Sequence, residues 1–195
     1  MLPGHELSGV CVAVGSKVTK IKVGDHIGVG CMVDSCGKCG SCKSGEEQKC
    51  SSQVGTYNAP ATPRAQTFPP GGRTLGGYTN IMVVQEHFAI VIPKSYPLEF
   101  AGPVMCAGVT LFDPLRRYGA SSLKKVAIVG LGGLGMMGIK LANAMGATVT
   151  AISRSASKKD IAAKAGADKY IASSDNAQMA EYKGYFDLVL NTIPW

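Results

Sequence analysis

Four cysteines spaced C-x2-C-x2-C-x7-C, namely Cys36, Cys39, Cys42 and Cys50, lie in a stretch rich in Gly, Ser and Lys. A short chain folding back on itself there can aim four thiolates at one metal ion. Zinc takes thiolates at about 2.3 Å in a tetrahedron, and a four-thiolate set fills every position, so such an ion shapes a loop and leaves no place for water or substrate. Disulfides are the alternative use of these residues. Cysteines two residues apart are poor geometric partners, and Met1-Leu2-Pro3-Gly4 lacks the charged, apolar and small-residue regions of a secretory signal. Zinc is therefore the expected ligand. A structural zinc contributes on the order of 10 kcal/mol of apparent binding free energy, enough to hold a lobe with little apolar core.

A second set of residues suits phosphate. Gly130-Leu131-Gly132-Gly133-Leu134-Gly135 follows a β-prone run and precedes a helix-period segment with Leu134, Met137, Leu141 and Met145 on its apolar face. The first glycine permits a tight turn, the second lets backbone approach a pyrophosphate, and the last allows close helix–strand packing with the helix N-terminus facing negative charge. A plain βα turn uses the same glycines, but the strand, turn and helix come in the order that a dinucleotide requires. An acidic residue for the ribose belongs about 20 residues on, at the end of the next strand. Ser153 stands there, followed by Arg154, Ser155, Ser157 and Lys158, with no carboxylate before Asp160. Hydroxyls and cations suit a 2′-phosphate, so NADP(H) is expected over NAD(H), although ordinary surface Lys and Arg would look the same.

These residues need two kinds of scaffold. Up to about Pro93, short β-prone runs (10–14, 26–29, 79–84 and 88–92) are separated by Gly, Pro, Asn and Asp, which predicts an all-β region. Residues 58–72, with Pro60, Pro63, Pro69 and Pro70, are expected to form an irregular surface loop. From Leu98 the texture changes to strands at 126–129, 148–152, 169–172 and 186–190 alternating with helical segments, the pattern of a parallel sheet. The reading is α/β overall, with domains over 1–97 and 98–195. The longest apolar stretch, Val126 to Ile139, is too short and glycine-rich to span a bilayer. The net charge of +7 is scattered, without an arginine-rich run or interleaved aromatics, so neither membrane nor nucleic acid is an expected partner. Seven cysteines without a secretory signal fit a reducing cytoplasm.

With Gly4-His5-Glu6, the cysteine cluster, Val23-Gly24-Asp25, Gly76-Gly77-Tyr78, Cys106-Ala107-Gly108-Val109-Thr110 and the glycine turn in this order, the chain resembles the zinc-dependent medium-chain alcohol dehydrogenases. Within them it is most similar to the cinnamyl alcohol dehydrogenase-like, NADP-dependent branch. The resemblance implies a GroES-like β domain followed by a Rossmann domain, each partial here, and interconversion of a small alcohol and its aldehyde by hydride transfer at a zinc-bound oxygen. It places the catalytic zinc on His5 and Cys106, with Glu6 as an alternate or neighbouring ligand, and Thr110 near the nicotinamide. Read without the family, His5 is an ordinary surface histidine and Cys106 a buried small apolar residue. That plain reading is the one taken for Cys11 and Cys31.

The resemblance also implies that both ends of the family pattern are missing. Before Gly4 the family carries another catalytic cysteine and a proton relay, and neither Cys11 nor Cys31 has the motif context to replace that cysteine. Beyond Trp195 it carries the second Rossmann half and the dimer-forming strands, so the usual dimer is not assumed and strand 186–190 is expected at a sheet edge. The alternative to an active oxidoreductase is an inactive zinc- and NADP-binding fragment or pseudoenzyme.

Overall fold

The computed structural model describes residues 2–60, 62 and 71–194. Most of the proline-rich segment expected to be a surface loop, including Pro63, Pro69 and Pro70, lies outside them. The chain divides into two compact units, 1–106 and 107–195. The sequence texture changes at Leu98. The first unit runs past that point because the helical turn beginning there packs on its sheet: a Cβ on Gly102 would lie 2.9 Å from the Glu6 carbonyl oxygen.

In the first unit, β1 (Leu7–Val10) and β2 (His26–Val29) pair antiparallel. Strand β3 (Met32–Asp34) leads into the cysteine segment, which contains α1 (Gly40–Lys43) and returns as β4 (Val54–Gly55). Strand β5 (Ile90–Ile92) pairs with β2, giving the order β1-β2-β5. The first strand sits earlier than the 10–14 expected. Val12 and Val14 are exposed, and the backbone at Cys11 is tied instead to the turn at Gly24 and Asp25. Residues 79–84 alternate correctly for a strand, yet they pair with no strand among the described residues, and Val83 is 87% exposed. The β3/β4 ribbon framing the cysteines leaves no mark in the sequence pattern, because strands of three and two residues carry too little periodicity to read. The core here is small: Val29, Val33 and Val54, with Leu7, Ala59, Met82 and Val84 against them.

The helix α2 (Ala101–Pro103) is followed by a π-helical turn, 104–108, that carries Cys106, the last residue of the first unit. Helical residues continue to Arg117. On length and composition alone this run, with a mean hydropathy of 1.2, is long and apolar enough to cross a membrane, a property that core helices of water-soluble proteins share.

The second unit holds α3 (Val109–Arg117), β6 (Lys125–Val129), α4 (Gly133–Ala144), β7 (Thr148–Ser153), α5 (Lys159–Ala165), β8 (Lys169–Ala172), α6 (Asn176–Glu181) and β9 (Leu188–Asn191). All the strands run parallel in the order β8-β7-β6-β9, which is the 3-2-1-4 order of a doubly wound fold. Strand β9 lies at one edge, with Val189 53% exposed. The core is substantial, built on Leu115, Val126, Ile128, Ile139 and Val149. Of the face expected on α4, Leu141 and Met145 pack against this core while Leu134 is exposed, and the fully buried positions are Gly135, Gly138, Ile139 and Ala142. Its glycines allow the backbone itself to pack, so small residues share the contact with Ile139, Leu141 and Met145.

Candidate metal and nucleotide sites

In the cysteine loop, Cys36 Sγ lies 3.9 Å from Cys42 Sγ and 3.6 Å from Cys50 Sγ, and Cys39 Sγ lies 3.5 Å from Cys42 Sγ. Four sulfurs at about 2.3 Å from one ion form a tetrahedron with edges of roughly 3.8 Å. Disulfide sulfurs stand about 2.05 Å apart, so these separations fit a shared metal. Local geometry explains the convergence. Cys39 precedes the first turn of α1 and Cys42 lies within it, while the β3/β4 ribbon brings Cys50 back, 3% exposed. The protons are unevenly held. Backbone N–H groups of Lys38 and Cys39 draw the Cys36 thiol down to about 6. The Ser35 hydroxyl, 3.5 Å away, lowers Cys42. Cys39 is drawn down by backbone at Cys42, but its side-chain contacts with the other thiols and its burial outweigh this and leave it at about 11.

A second group gathers at the other side of the β3/β4 ribbon. The ligand atoms of His5, Cys31 and Cys106 all lie within 4.8 Å of one another. His5 is placed by the turn at Gly4, where φ is +109°, and by backbone bonds that clamp 2–4 onto 76–78: Gly76 N–H donates to Leu2 O, Tyr78 N–H to Pro3 O and Gly77 N–H to Gly4 O. Only glycines allow this approach, since a Cβ on Gly76 would lie 2.3 Å from the Pro3 carbonyl oxygen. The His5 ring stacks on Tyr57, with centroids 5.8 Å apart. Cys31 follows Gly30 in the short link between β2 and β3. The Thr56 N–H donates to its carbonyl at 3.0 Å, and the Thr56 hydroxyl donates to the Gly30 carbonyl. Cys106 arrives on the π-helical turn, a form of helix frequent at functional sites.

This corrects the plain reading of Cys31 as a buried apolar residue. Cys31 is exposed and sits beside two residues already marked for metal. Desolvation of its sulfur, then the Cys106 thiol and the Glu6 carboxylate, push the Cys31 thiol up to about 11. Its spacing to His5 and Cys106 matches no metal-ligand motif, so only the fold reveals it. Glu6 is exposed and lies outside the three-residue group, within electrostatic reach of Cys31. Cys11 keeps its plain role: it is buried, and its thiol donates to the Ala13 carbonyl. An apolar groove of about 570 Å³ runs beside the group, from Gly4 and Glu6 along β1 to Ile81 and Val83.

In the second unit the glycine turn has the geometry expected of it. Gly130 has φ of +90°, and a Cβ on Gly135 would lie 1.8 Å from the Gly130 carbonyl oxygen, so both are held by the chain itself. Gly132 and Gly133 face open space. No side chain caps α4, and its first backbone N–H groups have no partner within the helix, which suits an anion. Leu131 is buried below the turn and Leu134 points outward. Ser153 ends β7 and is half-buried; Arg154, Ser155 and Lys158 follow, exposed. The Lys158 ammonium donates to the Leu131 carbonyl at 2.9 Å, which carries a positive charge to the glycine turn. Ser155 Oγ lies 2.9 Å from Ser157 Oγ, and the Tyr170 hydroxyl donates to the Ser155 carbonyl. Thr110 is exposed on α3.

Comparison with known proteins places these sites in context. Residues 1–94 match the model of the alcohol dehydrogenase GroES-like domain, and residues 133–194 match that of the zinc-binding dehydrogenases. The chain is 49% identical over 195 residues to NADP-dependent alcohol dehydrogenase C 1 of Mycolicibacterium smegmatis, covering 99% of this chain and 54% of that protein. It is 44% identical over 196 residues to a probable cinnamyl alcohol dehydrogenase of Pinus radiata, covering 100% and 53%. A solved cinnamyl alcohol dehydrogenase from Sorghum bicolor superposes with a TM-score of 0.93 at 42% identity, over 98% of this chain and 54% of that one. CAD from Helicobacter pylori, solved in complex with NADP(H), superposes with a TM-score of 0.90 at 39% identity, over 100% and 53%. The chain spans about half the length of the relatives it matches.

Proposed function

We propose that this chain, whose two ends match the alcohol dehydrogenase GroES-like domain and the zinc-binding dehydrogenases, interconverts a small alcohol and its aldehyde by hydride exchange with NADP(H). The observation that carries this reading is the convergence of His5 and Cys106 from opposite ends of the first unit. Zinc bound there supplies a Lewis acid for the substrate oxygen, and NADP(H) supplies or accepts the hydride.

The chain's own residues divide the remaining work. His5 offers an imidazole nitrogen and Cys106 a thiolate, with Glu6 as an alternate ligand or a neighbour of the ligands. Tyr57, stacked on the His5 ring, restricts its rotation. In the second unit, Gly130, Leu131, Gly132, Gly133, Leu134 and Gly135 with the α4 N-terminus receive the pyrophosphate. Ser153, Arg154, Ser155 and Lys158 receive the 2′-phosphate, and Thr110 belongs to the nicotinamide end. The four-cysteine loop is structural. Cysteines gathered at metal-binding rather than disulfide distances support a cytoplasmic location.

A second reading is zinc and NADP binding without turnover. The span of the chain, about half the length of the relatives it matches, keeps this reading in view. Zinc-loaded protein assayed with NADPH against aliphatic and aromatic aldehydes, followed by loss of NADPH absorbance, decides between them. Turnover that Cys106→Ser abolishes supports the oxidoreductase. NADPH binding by fluorescence without turnover supports the second reading.

A further inference from the structure

We propose that Tyr170 is a positioning residue for the 2′-phosphate of NADP(H): its hydroxyl holds the Ser155 carbonyl and so fixes the shape of the 153–158 segment that receives that phosphate. The proposal rests on the NADP(H) part of the reading above and adds a residue that acts through the segment rather than on the phosphate.

Three observations carry it. First, consecutive carbonyls tether the segment to one strand and its continuation. The Ser173 N–H donates to the Ser153 carbonyl at 2.8 Å, the Ser174 N–H to the Arg154 carbonyl at 3.3 Å, and the Tyr170 hydroxyl to the Ser155 carbonyl. The first two prolong the β7/β8 pairing, which ends at Ser153 and Ala172, and any residue but proline at 173 or 174 supplies them. The third leaves the ladder and depends on a side-chain hydroxyl. Second, Tyr170 is itself anchored. It lies within β8, in register with Ala151 of β7, and its ring packs against the core of the second unit. Tyrosine suits this place because its body is apolar and its tip is polar. Third, the carbonyl it holds stands at a joint. Ser155 has extended backbone, with φ of −132° and ψ of 164°, and the tight helical turn Ala156–Lys158 starts directly after it. A peptide unit is planar and trans, so turning the Ser155 carbonyl toward Tyr170 turns the Ala156 N–H the opposite way and sets the direction in which the turn leaves. Beyond that joint come the Ser157 hydroxyl, 2.9 Å from that of Ser155, and the Lys158 ammonium on the glycine turn. Without the phenol, the hydroxyls and Lys158 would hang from a strand end tethered to β8 only at 153 and 154.

The test uses the full chain and two probes that differ only in the 2′-phosphate, 2′,5′-ADP and 5′-AMP, each titrated by calorimetry beside a thermal melt of the free protein. The unaltered chain is expected to bind 2′,5′-ADP at least about tenfold more tightly than 5′-AMP. Tyr170→Phe keeps the ring in the core and removes only the tether. It is expected to weaken 2′,5′-ADP by about threefold to tenfold, the range one neutral hydrogen bond spans, while 5′-AMP binding and the melt stay where they were. Equal loss of both probes would make Tyr170 a structural residue only and overturn the assignment. If 2′,5′-ADP is preferred and Tyr170→Phe leaves that preference unchanged, the role of Tyr170 falls and the NADP(H) reading stands without it. If the unaltered chain binds the two probes alike, or neither, the NADP(H) preference and the role of Tyr170 fall together.

Discussion

Gly30 presses directly on the carbonyl of Met105: a Cβ added at residue 30 would stand 2.7 Å from that oxygen. The contact sets the distance between the β2/β3 link and the helical turn behind it, and hence between Cys31 and Cys106. Gly30→Ala is expected to cost about 1–3 kcal/mol through overpacking and to weaken metal binding at the candidate ligands His5 and Cys106 at least tenfold. Cobalt titration beside a denaturant melt checks both; unchanged affinity would mean that the spacing is set elsewhere.

Cys39→Ser removes one thiolate from the cysteine loop. Among the described residues the first unit's core cluster is three valines while the second unit's is much larger, so the first unit is expected to depend on the ion more than the second does. The expected result is loss of one zinc by elemental analysis and early proteolysis within 1–106, while fragments of the second unit survive. Equal protease sensitivity of the two units would count against it.

Gly132 and Gly135 separate folding from binding within one turn. A Cβ on Gly132 meets nothing within 4 Å, whereas one on Gly135 lies 1.8 Å from backbone. Gly132→Ala is expected to fold with a loss below about 1 kcal/mol and to bind NADPH at least tenfold more weakly. Gly135→Ala is expected to destabilise the second unit by about 3 kcal/mol. Thermal melts with NADPH fluorescence titrations tell the two apart.

Arg154 follows Ser153 at the end of β7, where an NAD-preferring chain would carry an acid. Arg154→Asp is expected to raise the Kd for NADPH by tenfold or more and lower that for NADH. A preference ratio that does not move would shift the 2′-phosphate to Lys158 and the serines.

Glu86 accepts hydrogen bonds from the backbone N–H groups of Lys20 and Thr19. The Lys20 N–H first, then those of Thr19 and Ile21 and the Lys20 charge, hold its carboxyl below the ordinary value of 4.5. A folded-state pKa below the unfolded one gives stability that is present above the unfolded value and lost as pH falls through the folded one. Glu86→Gln is therefore expected to flatten the acid limb of the stability profile below about pH 4.5 and leave its slope near neutrality unchanged. Superimposable acid titrations of the two proteins would refute the assignment.

Much of this molecule was legible from residue order because the relevant forces act locally. A C-x2-C-x2-C run limits where three sulfurs can point, and a glycine turn between strand and helix exposes backbone N–H groups wherever the chain ends up. The strands at 26–29 and 169–172 and the parallel sheet followed from the same short-range patterning. Other features depended on what each segment met. Residues 79–84 have strand periodicity but no strand partner among the described residues, and α4 buries Gly138 because Leu111 of α3 and Ile128 of β6 come close to it. The sequence by itself determined the four-cysteine loop and the nucleotide turn. The meeting of His5, Cys31 and Cys106 was decided only in three dimensions, since no spacing along the chain encodes how closely Gly30 can seat against Met105, and that approach makes an unremarkable thiol a neighbour of two candidate metal ligands.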